Sequence, residues 1–259
     1  MKDDLSVSLV QASLHWEDVE QNLASFSKKM ASLQGKTDLI ILPEMFTTGF
    51  SMNAEAVAEG MDGVTMNWLK EQANTLQSAI TGSFIATENG QYYNRLIFMK
   101  PDGTYDQYDK RHLFTLAKEH QTYQVGTERA IVDWKGWKIC PLICYDLRFP
   151  VWSRNTVDYD LLIYVANWPE TRALHWKSLL RARAIENQCY TVGVNRVGVD
   201  EKGFVYSGDT SMIDYSGAIR YASANVEDVF TMNLSKSLQK AYRSKLDFLP
   251  DRDSYQIRK

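Results

Sequence analysis

Three short, fully apolar runs set the terms for this chain: Leu39-Ile40-Ile41-Leu42, Ile139-Cys140-Pro141-Leu142-Ile143 and Leu161-Leu162-Ile163-Tyr164-Val165-Ala166. Each is too short for a core helix. Side chains alternate across a strand, so a strand apolar at every position is one buried on both faces. Sheets of that kind need cover on either side, which points to layered α/β or α+β architecture. The pattern alone leaves the number of sheets open.

The remaining periodicities fill in the layers. Residues 18–33 read as a helix, with Val19, Leu23, Phe26 and Met30 near helical spacing, and residues 64–76 as another. Residues 175–186 give the clearest helix: Trp176, Leu179, Leu180 and Ala184 share one face. Arg183 falls on that same face and reads as a buried partner for a carboxylate. Strands are expected over residues 6–10, 79–87, 93–99, 130–134, 138–143, 190–194, 211–213 and 229–232. Pro101-Asp102-Gly103 marks a hairpin turn, and a polar, aromatic loop follows it. No linker, repeat or low-complexity tract interrupts the 259 residues, so residues 1–259 are expected to form a single domain. Residues 236–245 read as a short helix, and the tail from about 236 to 259 as a segment that could pack on a partner subunit.

Charge and cysteine usage exclude several classes. The net charge is -3, without the basic excess of a nucleic-acid binder. No apolar run approaches the roughly 18 residues that span a bilayer. The first residues carry two acids and no long apolar stretch, unlike a signal peptide. Three cysteines, an odd number without regular spacing, argue against a disulfide framework. A reducing cytoplasm is expected, where a thiol stays available for chemistry.

Candidate chemistry sits where the apolar runs stop. Glu44 follows Leu42-Pro43. Cys144 ends its own run and enters Tyr145-Asp146-Leu147-Arg148-Phe149-Pro150, a tight turn into a helix whose first turn tolerates Pro150. A thiol at such an elbow can project from the sheet edge, beside backbone N–H groups suited to a developing negative charge. Lys110 lies in Tyr108-Asp109-Lys110-Arg111-His112-Leu113-Phe114. Taken singly, each has an ordinary reading: a solvated or capping carboxylate, a lysine in a mixed-charge loop, an inert buried thiol. Cys140 and Cys189, inside apolar strands, read as inert. His112 and His120 lack a convincing metal-ligand spacing, so neither metal nor cofactor is expected, and His112 reads as packing and hydrogen bonding in its loop.

Taken together, the three segments resemble the signatures of the nitrilase superfamily, the carbon–nitrogen hydrolases. In that family a Glu follows Leu-Pro, a Lys precedes a His-Leu-Phe-like segment, and Cys-Tyr-Asp-x-Arg-Phe-Pro carries the nucleophile. The resemblance runs from about Ser6 to about Met232. Glu119, with Gly126 downstream, stands where the family places a second, supporting Glu. The stretch Arg181-Ala182-Arg183-Ala184-Ile185-Glu186-Asn187 is also typical. Glu44-Met45-Phe46-Thr47-Thr48-Gly49-Phe50 and Asn167-Trp168-Pro169-Glu170-Thr171-Arg172, with His175-Trp176, are similar to the bacterial omega-amidase branch. Members of that branch hydrolyse the side-chain amide of short 2-oxo acid monoamides, chiefly 2-oxoglutaramate. The resemblance implies an α/β (α+β) fold, a four-layer α-β-β-α sandwich with two stacked sheets. It also implies a homodimer paired through helix layers, for which the helices near residues 148–155 and 175–186 are candidates.

Amide cleavage by such a set needs a nucleophile, a base, a proton donor for the amine and a site for the oxyanion. The resemblance assigns these to Cys144, Glu44 and Lys110, with a thioester held on Cys144. An ordinary thiol is only a few per cent ionised at neutral pH, so Glu44 would take its proton and later activate water. Lys110 would stabilise the oxyanion and lower the thiol pKa, with the Tyr145 backbone N–H as second donor. Glu119 would hold Lys110 or orient substrate. Arg148 and Arg172 are candidates for a substrate carboxylate, because guanidinium pairs with it in two-point fashion. Phe46, Phe50, Tyr145 and Trp168 could wall a narrow pocket. The same catalytic residues would also serve another amide, a carbamoyl amine or a nitrile. A non-catalytic binding or assembly protein is the alternative of a different class, and the intact Glu44, Lys110 and Cys144 weigh against it.

Overall fold

The computed structural model describes residues 3–257. The first half of the chain runs β1 (Asp4–Gln11), α1 (Val19–Met30), β2 (Leu39–Ile41), α2 (Ala54–Val57), α3 (Val64–Leu76), β3 (Ala79–Glu88), β4 (Gln91–Met99), β5 (Tyr105–Asp109) and α4 (Glu119–Thr122). There follow β6 (Val132–Trp134), β7 (Trp137–Ile143), α5 (Pro150–Ser153), β8 (Leu161–Ala166), α6 (Ala173–Asn187) and β9 (Tyr190–Asn195). The chain continues through β10 (Val197–Val199), β11 (Val205–Ile213), β12 (Ile219–Ala224), β13 (Asp228–Ser235) and α7 (Lys236–Lys245).

Two sheets result. One has the order β13-β1-β2-β3-β4-β5; the other runs β10-β11-β9-β8-β7-β6, with β12 added on β11. In the first, β1, β2 and β3 are parallel; in the second, β7, β8 and β9 are. The alternation within β2 shows why its run is apolar throughout. Leu39 and Ile41 join Leu5, Val7 and Leu9 in a core shared with the second sheet's Ile139, Ile163 and Val192. Ile40 joins the opposite core, against Phe26 and Met30 of α1 and Leu69 and Ala73 of α3, as does Leu42 just beyond the strand. On the far side of the second sheet, Trp176 and Leu180 of α6 press on β9 at Gly193, where an added Cβ would meet them at 2.6 and 2.4 Å. The layers are therefore α-β-β-α, as the resemblance implied.

Elements with a strong apolar period fall where the sequence places them, α3, β8 and α7 to the residue. Edge strands β6 and β13 overlap the expected strands over residues 130–134 and 229–232, but three weaker strands do not appear in the sequence reading. β5 lies in the segment read as a polar loop, and of its five residues only Tyr108 is buried. β10 and the largely exposed β12 also carry too few buried side chains to mark them. Within the described residues the C-terminal segment makes contacts with its own chain. Gln239 donates to the Asp160 carbonyl at 2.8 Å, Arg243 to that of Tyr159 at 2.7 Å and Tyr255 to that of Val151 at 2.6 Å. Among the described residues no helix is long and apolar enough to cross a membrane.

Candidate active site

Parallel strands deliver their C-terminal ends to one place. Glu44 stands just beyond β2, Cys144 directly after β7, Asn167 directly after β8, and Lys110 directly after the antiparallel edge strand β5. The backbone bends sharply there: Met45 and Cys144 have φ of 42° and 41°, in the left-handed region that side chains other than glycine seldom occupy. At Cys144 the bend turns β7 into a five-residue 3-10 turn, Cys144–Arg148, which leads to α5 with Pro150 in its first turn.

Buried Asp146 pins this elbow to the Lys110 loop. Its carboxylate accepts from the Ile143 N–H at 3.1 Å, the His112 N–H at 3.0 Å and the Tyr108 hydroxyl at 2.7 Å, and lies 2.8 Å from His112 Nδ1. His112 stacks on Phe149 at 3.6 Å between ring centroids, the structural role expected for it. On the other side of Lys110, Gly126 donates to the Lys110 carbonyl at 2.9 Å. A Cβ at Gly126 would sit 1.9 Å from the Asp109 carbonyl, so only glycine fits this approach.

The structure brings Lys110, Glu44, Glu119 and Cys144 together, all buried. Lys110 Nζ lies 2.8 Å from Glu44 Oε1 and 3.0 Å from both Glu119 oxygens. Asn94 spans the two acids, donating to Glu44 Oε1 at 2.9 Å and Glu119 Oε1 at 3.3 Å. The other Glu44 oxygen accepts from the Asn167 backbone N–H at 2.8 Å. Burial works to lower the Lys110 pKa, but Glu119 and Glu44 outweigh it, so the ammonium stays charged. Burial raises the Glu119 pKa; Lys110 opposes that shift and Glu44 adds to it.

The thiol departs from expectation. Lys110 does draw the Cys144 pKa down, yet burial and the Glu44 carboxylate push it well above the ordinary thiol value. Cys144 is a neutral thiol at rest, and ionisation must accompany proton transfer to a neighbour. Cys140 and Cys189 are fully buried, each pushed up to about 12 by burial, as befits inert thiols.

Cys144, Lys110 and Asn167 line a cavity of about 380 Å³, walled by Phe50, Phe114, Tyr145, Trp168 and Tyr206. Arg148 and Arg172 line it too. Arg148 lies over Trp168 at 4.6 Å and within 3.2 Å of His175 Nδ1; Arg172 lies over Phe114 at 5.4 Å. Neither has a carboxylate at ion-pair distance among the described residues. Phe46 corrects the sequence reading. It is fully buried between Phe26 and Trp68 under the helices and does not line the cavity, because the turn at Met45 swings it to the core. Arg183 is buried as expected; its carboxylate is Glu186, one helical turn along at 3.0 Å, and it also donates to the Leu147 carbonyl at 2.6 Å.

Asn94 was not singled out from sequence, and Asn167 was quoted only within the branch motif, with no role assigned to it. A neutral amide leaves no mark there, although Asn167 does end an apolar run, as Cys144 does. A buried thiol and ammonium opening on one cavity, with the Glu44 carboxylate against both from behind, can together perform nucleophilic acyl transfer: attack, proton transfer and stabilisation of an oxyanion.

Comparison with known proteins agrees. The family model described as carbon–nitrogen hydrolase matches residues 6–243. The omega-amidase YafV of Escherichia coli (strain K12) is 46% identical over 255 residues, covering 98% of each chain. The 2-oxoglutaramate amidase of Bacillus subtilis (strain 168) is 32% identical over 219 residues, covering 83% of this chain and 84% of that one. A CN-hydrolase superfamily protein from Xanthomonas campestris, solved with an arsenic adduct in its active site, superposes with a TM-score of 0.97 at 45% identity. That match covers 99% of this chain and 100% of the other. In sequence and in fold alike, this chain belongs to the carbon–nitrogen hydrolases of the nitrilase superfamily and is an enzyme of that amidase class.

Proposed function

We propose that the enzyme is an omega-amidase: it hydrolyses the side-chain amide of short 2-oxo acid monoamides, 2-oxoglutaramate or 2-oxosuccinamate, to the oxo-diacid and ammonia. One observation carries the substrate class. The cavity that holds the thiol also holds two guanidiniums, Arg148 and Arg172, neither at ion-pair distance from a carboxylate among the described residues; Asp200, which also lines the cavity, accepts from the Tyr206 hydroxyl at 2.8 Å. An acid whose carboxylate pairs with either guanidinium would present an amide a few bonds away to Cys144, and the aromatic walls favour a short chain. The names of the relatives in Escherichia coli and Bacillus subtilis support the same reading.

In this reading Glu44 takes the Cys144 proton as sulfur attacks the amide carbon. It then passes that proton to the departing nitrogen, leaving a thioester. Water, deprotonated by Glu44, next releases the acid. Lys110 and the Tyr145 backbone N–H stabilise the oxyanion, and Glu119 holds Lys110 in place. The single domain is taken to act as a homodimer in the cytoplasm. Ammonia release from 2-oxoglutaramate, measured beside glutamine, asparagine, a carbamoyl amine and simple nitriles, tests the assignment. Fastest turnover is expected on the oxo-acid amides. Best turnover on a nitrile, with none on those amides, overturns it.

A further inference from the structure

Arg148 is held more firmly than the other guanidinium of the cavity. It closes the 3-10 turn that Cys144 opens, and it lies over the Trp168 ring at 4.6 Å. Its Nη2 is 3.2 Å from Nδ1 of His175, an exposed residue in the first turn of α6. A guanidinium only donates, so His175 Nδ1 accepts and the ring proton sits on Nε2. Arg148 and Trp168 line the cavity and His175 does not, so this tether reaches Arg148 from outside. No other hydrogen bond engages Arg148 among the described residues, and none of its nitrogens is a buried orphan. Its remaining N–H groups are open to a ligand. Arg172 has no such tether: its guanidinium meets only the Phe114 ring, at 5.4 Å, and its link to Trp168 runs through its backbone carbonyl, which accepts from the indole N–H at 2.8 Å. Burial and the Arg172 charge draw the Arg148 pKa below the ordinary guanidinium value, a penalty that a carboxylate beside it would relieve.

We propose that Arg148 is the anchor for the substrate carboxylate and that His175 is its positioning residue, holding the guanidinium against Trp168 with its open N–H groups free for the acid. This rests on the omega-amidase reading above and chooses between the two arginines that reading leaves open. A guanidinium fork matches a carboxylate with two parallel hydrogen bonds, and one already fixed by an aromatic face and an acceptor loses little freedom on meeting it. His175 touches neither the cavity nor the reacting atoms. Its influence falls on the grip of the carboxylate, which is the same in the bound substrate and in the transition state, so it belongs to KM and not to kcat.

The test is a double-mutant cycle with two readouts: steady-state turnover of 2-oxoglutaramate, and calorimetric binding of 2-oxoglutarate, the product. His175→Phe keeps a ring and removes the acceptor; His175→Asn offers a carbonyl oxygen near the place of Nδ1. His175→Phe is expected to raise KM and the product Kd about fivefold, with kcat within about twofold of wild type, and His175→Asn to restore most of the loss. In an Arg148→Met background His175→Phe is expected to add nothing, since the group it positions is gone. Should His175→Phe not fold, His175→Ala takes its place in the same cycle. An unmoved KM, or the same loss with Arg148 already removed, overturns the positioning role. A larger rise in KM and Kd from Arg172→Met than from Arg148→Met overturns the choice of anchor. A wild type that binds 2-oxoglutarate through Arg148 yet does not hydrolyse 2-oxoglutaramate removes the omega-amidase reading and leaves the anchor standing, so the two failures are distinct.

Discussion

Cys144 is held as a neutral thiol by burial and by Glu44, against the pull of Lys110. The consequence can be measured. Glu44→Gln removes one of the influences that raise the thiol pKa, leaving burial, Glu119 and Lys110 in place. Two opposite changes are expected. Amide turnover should fall about a hundredfold or more for want of the base. Alkylation of Cys144 by a small neutral reagent should shift its pH profile to lower pH, because the thiolate forms more readily without the adjacent carboxylate. Stopped assays and mass spectrometry across pH give both quantities, and an unmoved profile would show that Glu44 does not act on the thiol. Single residues also show how far sequence reading reaches. Glu44, Lys110 and Cys144 were legible only as a set, because each segment is ordinary by itself and the three together resemble the family signatures. Phe46 was misplaced because an aromatic after a turn can go to the core or to the cavity, and the φ of 42° at Met45 that decides it leaves no mark in the residue type. Asn94 went unnoticed because an amide in a strand is ordinary until its partners are known, and Asn167 entered only as part of a branch motif, without a role of its own.

The elbow after β7 and the Lys110 loop come from segments over 30 residues apart, and Asp146 ties them. Its carboxylate meets two backbone N–H groups, a hydroxyl and an imidazole nitrogen. Asp146→Asn would turn an NH2 group toward donors and leave some of them unpaired. A loss of about 2–3 kcal/mol of stability is expected, read as a lower midpoint in urea, with kcat falling as Cys144 and Lys110 lose their relative placement. A variant of unchanged stability and rate would mean the tie is dispensable. Helices and buried strands were legible because burial imposes a strict period on them. β5 was not, although it positions Lys110: as an edge strand it is buried only at Tyr108, and its charged residues look like a loop.

Two sheets with helices outside leave the ends of β5, β7 and β8 facing one cavity, an arrangement the apolar runs implied only in part. Their alternation established that both faces are covered, but a face packed on a second sheet and a face packed on helices demand the same residues. The choice between them came from family resemblance and is now visible in the split of Leu39 and Ile41 from Ile40 and Leu42. Pairing between subunits is a matter for solution measurement. Light scattering should give twice the 29.7 kDa chain mass; the mass of a single chain would remove the homodimer from the account.

The chemistry itself is open to one direct observation: intact-mass analysis during a single turnover of 2-oxoglutaramate, alongside ammonia release. Wild type should transiently gain the mass of the substrate less ammonia, mapped to Cys144, while Cys144→Ala shows neither adduct nor ammonia. Sustained ammonia release by Cys144→Ala, or an adduct carried on another residue, would contradict covalent hydrolysis at this thiol.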